Sequence, residues 1–131
     1  MTSYTTEKRR VEGLGSARHG AGTWIKERVS SVFLVPLTVW AVWSVTEVAG
    51  EGYAGARAWM EQPLNAVLLA LLVLGSIYHM HLGMRVIVED YIHKTFSKGA
   101  LLMINLFVCL GLAAAATFAI AGTAITALGA F

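Results

Sequence analysis

The run Leu64–Tyr91, LNAVLLALLVLGSIYHMHLGMRVIVEDY, decides how this chain is read. It is apolar from Leu64 to about Val88 and ends in a cluster of charge. A helix crossing a hydrocarbon core of about 30 Å needs roughly 20 apolar residues, so this run predicts a span that tilts or protrudes. Pro63, just ahead of it, suits the first turn of a helix. Its last part carries polar residues in register. At about 100° per residue, His79, Gly83, Val86 and Asp90 fall within roughly 60° of one another. His79 and Asp90 thus share a stripe, roughly 16 Å apart at about 1.5 Å per residue.

The rest of the chain fits the same solvent. Of its 131 residues 56% are hydrophobic and 14% charged, against roughly 45–50% and about 25% for soluble domains. The mean hydropathy of +0.64 agrees. A net charge of +2 is too small to suggest nucleic acid. The single cysteine, Cys109, allows no intrachain disulfide and no Cys-x-x-Cys-His haem attachment, and reads as a packing residue. No cleaved secretory signal is evident ahead of the first apolar run.

Two further apolar segments flank the first. One runs from about Val29 to Ala49 and contains Pro36, which a membrane helix tolerates. Trp24 stands near its start and Trp40 and Trp43 in its second half, Trp43 in a position to join an interfacial belt. Glu47 to Gln62 reads as a short polar loop with Gly50, Gly52 and Gly55. The other runs from about Ala100 to Ala127, with Gly111 and Ala115 at a spacing that permits close helix contact. Between them lies a connection from Glu89 to Gly99. The fold predicted is an all-α membrane protein. It has a cytoplasmic arm at 1–28, a three-helix domain at 29–127 (spans about 29–49, 64–88 and 100–127) and a short outer tail at 128–131.

Basic residues orient it. Lys8, Arg9, Arg10, Arg18, Lys26 and Arg28 precede the first span, and Arg85, Lys94 and Lys98 cluster at the second connection. The first connection has Arg57 alone, and the tail has none. The N-terminus and second connection are therefore read as cytoplasmic, and the first connection and C-terminus as outward or periplasmic.

This topology places His79 in the membrane about three turns from the cytoplasmic end, with Asp90 at that end. Ionisable groups inside a span are costly and functional by default. The options for His79 are a haem axial ligand, a proton relay, a metal ligand, or a structural bond to a neighbouring helix. A zinc site wants several converging ligands, and His79 and His81 lie about 200° apart on a helix. A relay wants further ionisable groups at depth, which the other spans do not offer. One imidazole flanked by Gly75, Ser76 and Gly83 fits haem better, because small side chains leave room for a flat macrocycle. A second axial ligand then comes from another chain. His81 is the alternative ligand, and His19 and His93 read as surface residues. Asp90 and Tyr91 read either as an ordinary helix end or as a quinone site, where a phenol donates to a carbonyl and a carboxylate passes protons. Arg28 and Arg85 are both near this side and able to pair with carboxylates such as haem propionates; Arg85 reads better as a positive-inside residue.

The run His79–Tyr91 resembles the His-x-x-x-Gly…Asp-Tyr pattern of the hydrophobic membrane anchor of succinate dehydrogenase, respiratory complex II. Gly13–Ala17, followed by Trp24, Arg28-Val29-Ser30 and Leu34–Leu37, is similar to the N-terminal part of its bacterial members. The resemblance covers roughly Val11 to Lys94 and the three-span layout. It implies a bacterial inner-membrane complex of flavoprotein, iron–sulfur subunit and two hydrophobic anchors. Such a complex serves the tricarboxylic acid cycle and aerobic electron transport, with haem b between the anchors. Carried over by position, His79 matches the haem-ligating histidine. Asp90 and Tyr91 match the pair at the site of ubiquinone or a related quinone, and Arg28 resembles an arginine near the haem propionates. The chain is then a subunit of an enzyme and not catalytic alone. The competing readings are a non-redox membrane protein, such as an assembly factor or transporter component, and the anchor of a fumarate reductase.

Overall fold

The computed structural model describes residues 20–127 and 129. The arm ahead of them, including Gly13–Ala17 and His19, lies outside the described residues, as does most of the tail. Among the described residues four helices follow one another: α1 (Gly20–Val48), α2 (Gly52–Glu61), α3 (Pro63–Tyr91) and α4 (Thr95–Ala127). In α1, α3 and α4 the most apolar windows average hydropathies of 1.7, 1.8 and 2.2, and each helix is long enough to cross a membrane. The chain is an all-α, multi-pass membrane protein.

The three long helices form an open row. α3 packs against α1 on one side and α4 on the other, while α1 and α4 do not meet among the described residues. A row buries little. The buried apolar positions are Leu37, Ala66, Leu82, Val88 and Cys109, joined by Ser30 and Ser44. Val32, Val35, Val39 and Val42 on α1 and Phe107 and Phe118 on α4 are exposed. In lipid such a surface carries no hydrophobic penalty, so the helices are held by close approach and interhelical polar bonds. Gly75 marks one such approach: a Cβ added there would lie 3.2 Å from Leu34 Cδ2 and 3.5 Å from Phe33 Cε1. Gly111 and Ala115, by contrast, are exposed, and a Cβ at Gly111 would meet nothing within 4 Å. The small-residue approach that the row uses is thus Gly75 on α3.

The helices outrun the apolar segments. α1 begins nine residues before Val29 and takes in Trp24 and Arg28, one turn apart, with the guanidinium 5.4 Å from the ring centroid. α1 continues through Pro36 without a break. α4 begins at Thr95, so only Ile92–Lys94 separate it from α3. Lys98 Nζ donates to the Glu89 carbonyl at 2.7 Å, satisfying a group that the end of α3 leaves open.

The first connection departs from the polar loop read in its sequence: most of it is α2. Its glycines obscure an apolar stripe of Tyr53, Ala56 and Met60 at helical spacing. Gly52 opens the helix at φ +65°, a conformation that other residues rarely take. Trp59 stacks on Trp40 of α1, ring centroids 5.5 Å apart at 27°, and pins α2 to the end of the row. On its polar side Arg57 Nε meets Glu61 Oε1 at 3.0 Å. That hydrogen bond and the carboxylate charge hold the guanidinium pKa above its ordinary value.

Candidate functional site: the two histidines of α3

His79 and His81 are two residues apart on one helix, and the row separates them completely. His79 faces α1. Its Nδ1 lies 2.9 Å from Ser30 Oγ, and the same hydroxyl lies 2.9 Å from the Glu27 carbonyl of α1. A carbonyl only accepts, so the single hydroxyl proton is spent on Glu27. Ser30 Oγ then accepts from His79 Nδ1–H, and the ring keeps its lone pair on Nε2. Nε2 has no partner among the described residues.

His81 faces α4 and is in the opposite state. Asn105 Nδ2 lies 3.1 Å from the His81 carbonyl and 3.1 Å from its Nδ1. The carbonyl fixes the amide orientation, because only the NH₂ end can donate to it. Cys109 Sγ, 3.5 Å from Asn105 Oδ1, completes the amide's bonding. Nδ1 of His81 is therefore an acceptor, its ring proton sits on Nε2, and no lone pair remains for a metal. The proximity of two histidines in sequence left the ligand ambiguous; the neighbours on either side separate them.

His79 lines an open groove with Ser31, Leu34, Val35, Thr38 and Val39. The hydroxyls along it are turned onto their own helix, Ser31 Oγ to Arg28 O at 2.9 Å and Thr38 Oγ1 to Leu34 O at 2.8 Å. The groove is thus apolar, with one imidazole on its wall. Gly83, one turn on from His79, is open: a Cβ there would meet nothing within 4 Å. Of the small residues read as leaving room beside His79, Gly83 does so. Gly75 instead receives α1, and Ser76 is exposed with its hydroxyl bonded to Leu72 O at 2.7 Å. Arg28 lies on the α1 stripe of Val35 and Val39, within roughly 20° at helical spacing. It is exposed near the start of that helix.

No group of three or more His, Cys, Asp or Glu side chains that could hold a metal exists among the described residues. A lone imidazole suits a metal whose other donors come from a macrocycle or another chain. That donor set, an apolar groove and an open glycine together fit an axially ligated haem.

Asp90 and Tyr91 close α3, and both are exposed, Tyr91 at 76%. Neither side chain makes a hydrogen bond among the described residues. Asp90 keeps its place on the His79 stripe, eleven residues on, so the two sites share a helix face without contact. Arg85 Nε pairs with Glu89 Oε1 at 2.7 Å, one turn on along α3. His93 is exposed. Sequence reasoning missed Asn105, the one amide in the apolar run of α4. The rule that singled out His79, a polar side chain at membrane depth, applies to it as well.

A family model described as succinate dehydrogenase/fumarate reductase transmembrane subunit matches residues 2–122. The chain belongs to this family. Among curated relatives, the succinate dehydrogenase hydrophobic membrane anchor subunit of Rickettsia conorii (strain ATCC VR-613 / Malish 7) is 30% identical over 108 residues. That alignment covers 82% of this chain and 86% of the relative. The protein of the same name from Paracoccus denitrificans is 30% identical over 104 residues, 79% and 81% of the two chains. The one from Rickettsia bellii (strain RML369-C) is 30% identical over 90 residues, 68% and 71%. No solved structure matches this chain. The chain is thus a membrane anchor of the succinate dehydrogenase/fumarate reductase family.

Proposed function

We propose that this chain is the anchor of a succinate:quinone oxidoreductase in the bacterial inner membrane. In this reading it ligates haem b through His79 and contributes Asp90 and Tyr91 to the quinone site. The observation that carries the reading is the bonding of His79. Its Nδ1 is tied to buried Ser30, which leaves the lone pair on Nε2, and the residue lines an apolar groove. Haem, when bound there, accepts and returns one electron at a time. His79 would hold its iron, Gly83 would leave room on the adjacent helix face, and Arg28 would pair with propionates along the same α1 stripe. A second hydrophobic anchor would supply a further ligand and the far wall of the groove, because an open row of helices encloses nothing by itself.

At the end of α3, Tyr91 donates a hydrogen bond to a carbonyl of ubiquinone or a related quinone. Asp90 takes part in proton supply. An iron–sulfur subunit completes the site and delivers electrons from a flavoprotein; succinate and flavin do not touch this chain. The excess of Lys and Arg at the start of α1 and in the α3–α4 connection supports a cytoplasmic position for both and a periplasmic one for α2. The partner subunits and quinone set whether the complex runs toward fumarate or succinate, both of which the family description covers.

The test is a reduced-minus-oxidised spectrum of the purified complex with wild-type and His79→Ala anchors. The reading expects a b-type haem signal that the variant loses. Undiminished haem in the variant would overturn it.

A further inference from the structure

The bonding around His79 extends to a residue with no assigned role. Ser30 is 8% exposed on α1, and its hydroxyl proton is held by the Glu27 carbonyl of its own helix. That leaves its lone pairs aimed at the ring of His79, 2.9 Å away. The bond spans the α1–α3 crossing, where Gly75 lets the helices approach, so the serine is placed by the packing of two spans and not by a loop. Such a bond does three things to a ligating imidazole. It fixes which nitrogen carries the proton, it fixes the ring's rotation, and it raises the basicity of the other nitrogen.

We propose that Ser30 is the positioning residue of the haem site. It holds the His79 imidazole with Nε2 free and sets its strength as an axial donor. This rests on the haem reading above. An imidazole that donates from Nδ1 is a stronger donor at Nε2 and favours the oxidised, more positive iron, so the bond lowers the haem potential. Losing it shifts the potential upward while the ligand itself stays in place.

The experiment uses the assembled complex with Ser30→Ala, Ser30→Thr and Ser30→Val anchors. It reads haem per flavin, the redox midpoint of the haem, and the electron paramagnetic resonance signal of its oxidised form. Threonine and valine have nearly the same shape and differ in the hydroxyl. The threonine variant is expected to keep the wild-type midpoint and spectrum. The alanine and valine variants are expected to retain haem with a raised midpoint and a shifted signal. If alanine destabilises the crossing and the complex fails to assemble, the threonine–valine pair still decides. Equal behaviour of threonine and valine, or an unchanged midpoint in alanine with haem retained, would overturn the role of Ser30. Failure of the underlying reading is distinct: haem would then survive His79→Ala in full.

Discussion

Asn105 binds His81 twice, donating from Nδ2 to its ring Nδ1 and to its backbone carbonyl, each at 3.1 Å. This pairing occupies Nδ1 of His81 and makes it part of the α3–α4 contact, which is why the haem reading takes His79 as the ligand. The histidine variants should therefore diverge. His79→Ala is expected to lose most of the haem, whereas His81→Ala keeps haem and instead loosens α4. Haem content per complex, set beside thermal stability, separates the two effects. A haem loss confined to His81→Ala would reassign the ligand.

The same pairing makes a prediction for α4. Asn105→Leu removes both donors and leaves the ring nitrogen of His81 without its partner. Interhelical hydrogen bonds in membranes average below about 1 kcal/mol, and an abandoned acceptor adds about 1–3 kcal/mol. A loss of roughly 2–4 kcal/mol is expected, seen as a lower temperature of thermal inactivation in detergent, while haem remains bound. Asn105→Gln is expected to restore little, because the longer side chain carries its amide past the ring.

Two glycines on α3 have different surroundings. Gly75 is closed by Leu34 and Phe33, while Gly83 opens to empty space within the chain. Gly75→Leu should push α1 away and carry Ser30 with it, lowering both stability and haem content. Gly83→Leu should leave the row of helices intact and reduce haem content severalfold, since its side chain enters the space beside His79. The checking measurements are haem per flavin and helix content by circular dichroism. Normal haem in the Gly83 variant would mean that the macrocycle lies elsewhere.

The spans were legible because hydropathy and length are summed over some twenty residues, and no local detail changes the sum. α2 was not legible for the opposite reason. Its ten residues have three glycines in or beside them, and its docking depends on a single stack of Trp59 on Trp40. His79 and His81 stood out as polar groups at depth, but their different states depend on Ser30, forty-nine residues away, and on Asn105, twenty-four residues away. No spacing rule along one helix reaches either partner. Gly75 shows the same limit, because whether a missing side chain leaves a hole or admits a neighbour depends on the neighbour, here Leu34 and Phe33.

Orientation has a direct check. With Cys109 replaced by alanine, single cysteines at Tyr53 in α2 and at His93 in the α3–α4 connection report opposite sides. A membrane-impermeant maleimide applied to intact spheroplasts is expected to label Tyr53→Cys and to label His93→Cys only after lysis. The reverse pattern would invert the topology and move Asp90 and Tyr91 to the periplasmic face, away from a cytoplasmic electron donor.

Tyr91 offers the sharpest test of the quinone site, because its exposure at the end of α3 leaves its hydroxyl no structural duty within the chain. Tyr91→Phe removes the donor and little else. A hydrogen bond of about 1–1.5 kcal/mol corresponds to a roughly tenfold loss in rate if it acts in the transition state. Succinate:quinone reductase activity is therefore expected to fall about tenfold, with succinate oxidation by an artificial acceptor at the flavoprotein or iron–sulfur subunit unchanged. Parallel loss of both activities would mean that the substitution disrupts assembly, whereas an undiminished quinone-dependent rate would remove Tyr91 from the quinone site. Asp90→Asn should behave differently. The amide keeps the size of the side chain but cannot take up a proton, so the quinone-dependent rate should fall more steeply at high pH, where protons are scarce, than at low pH. A uniform fall across pH would assign Asp90 to binding geometry and leave proton supply to His93, Lys94 or water.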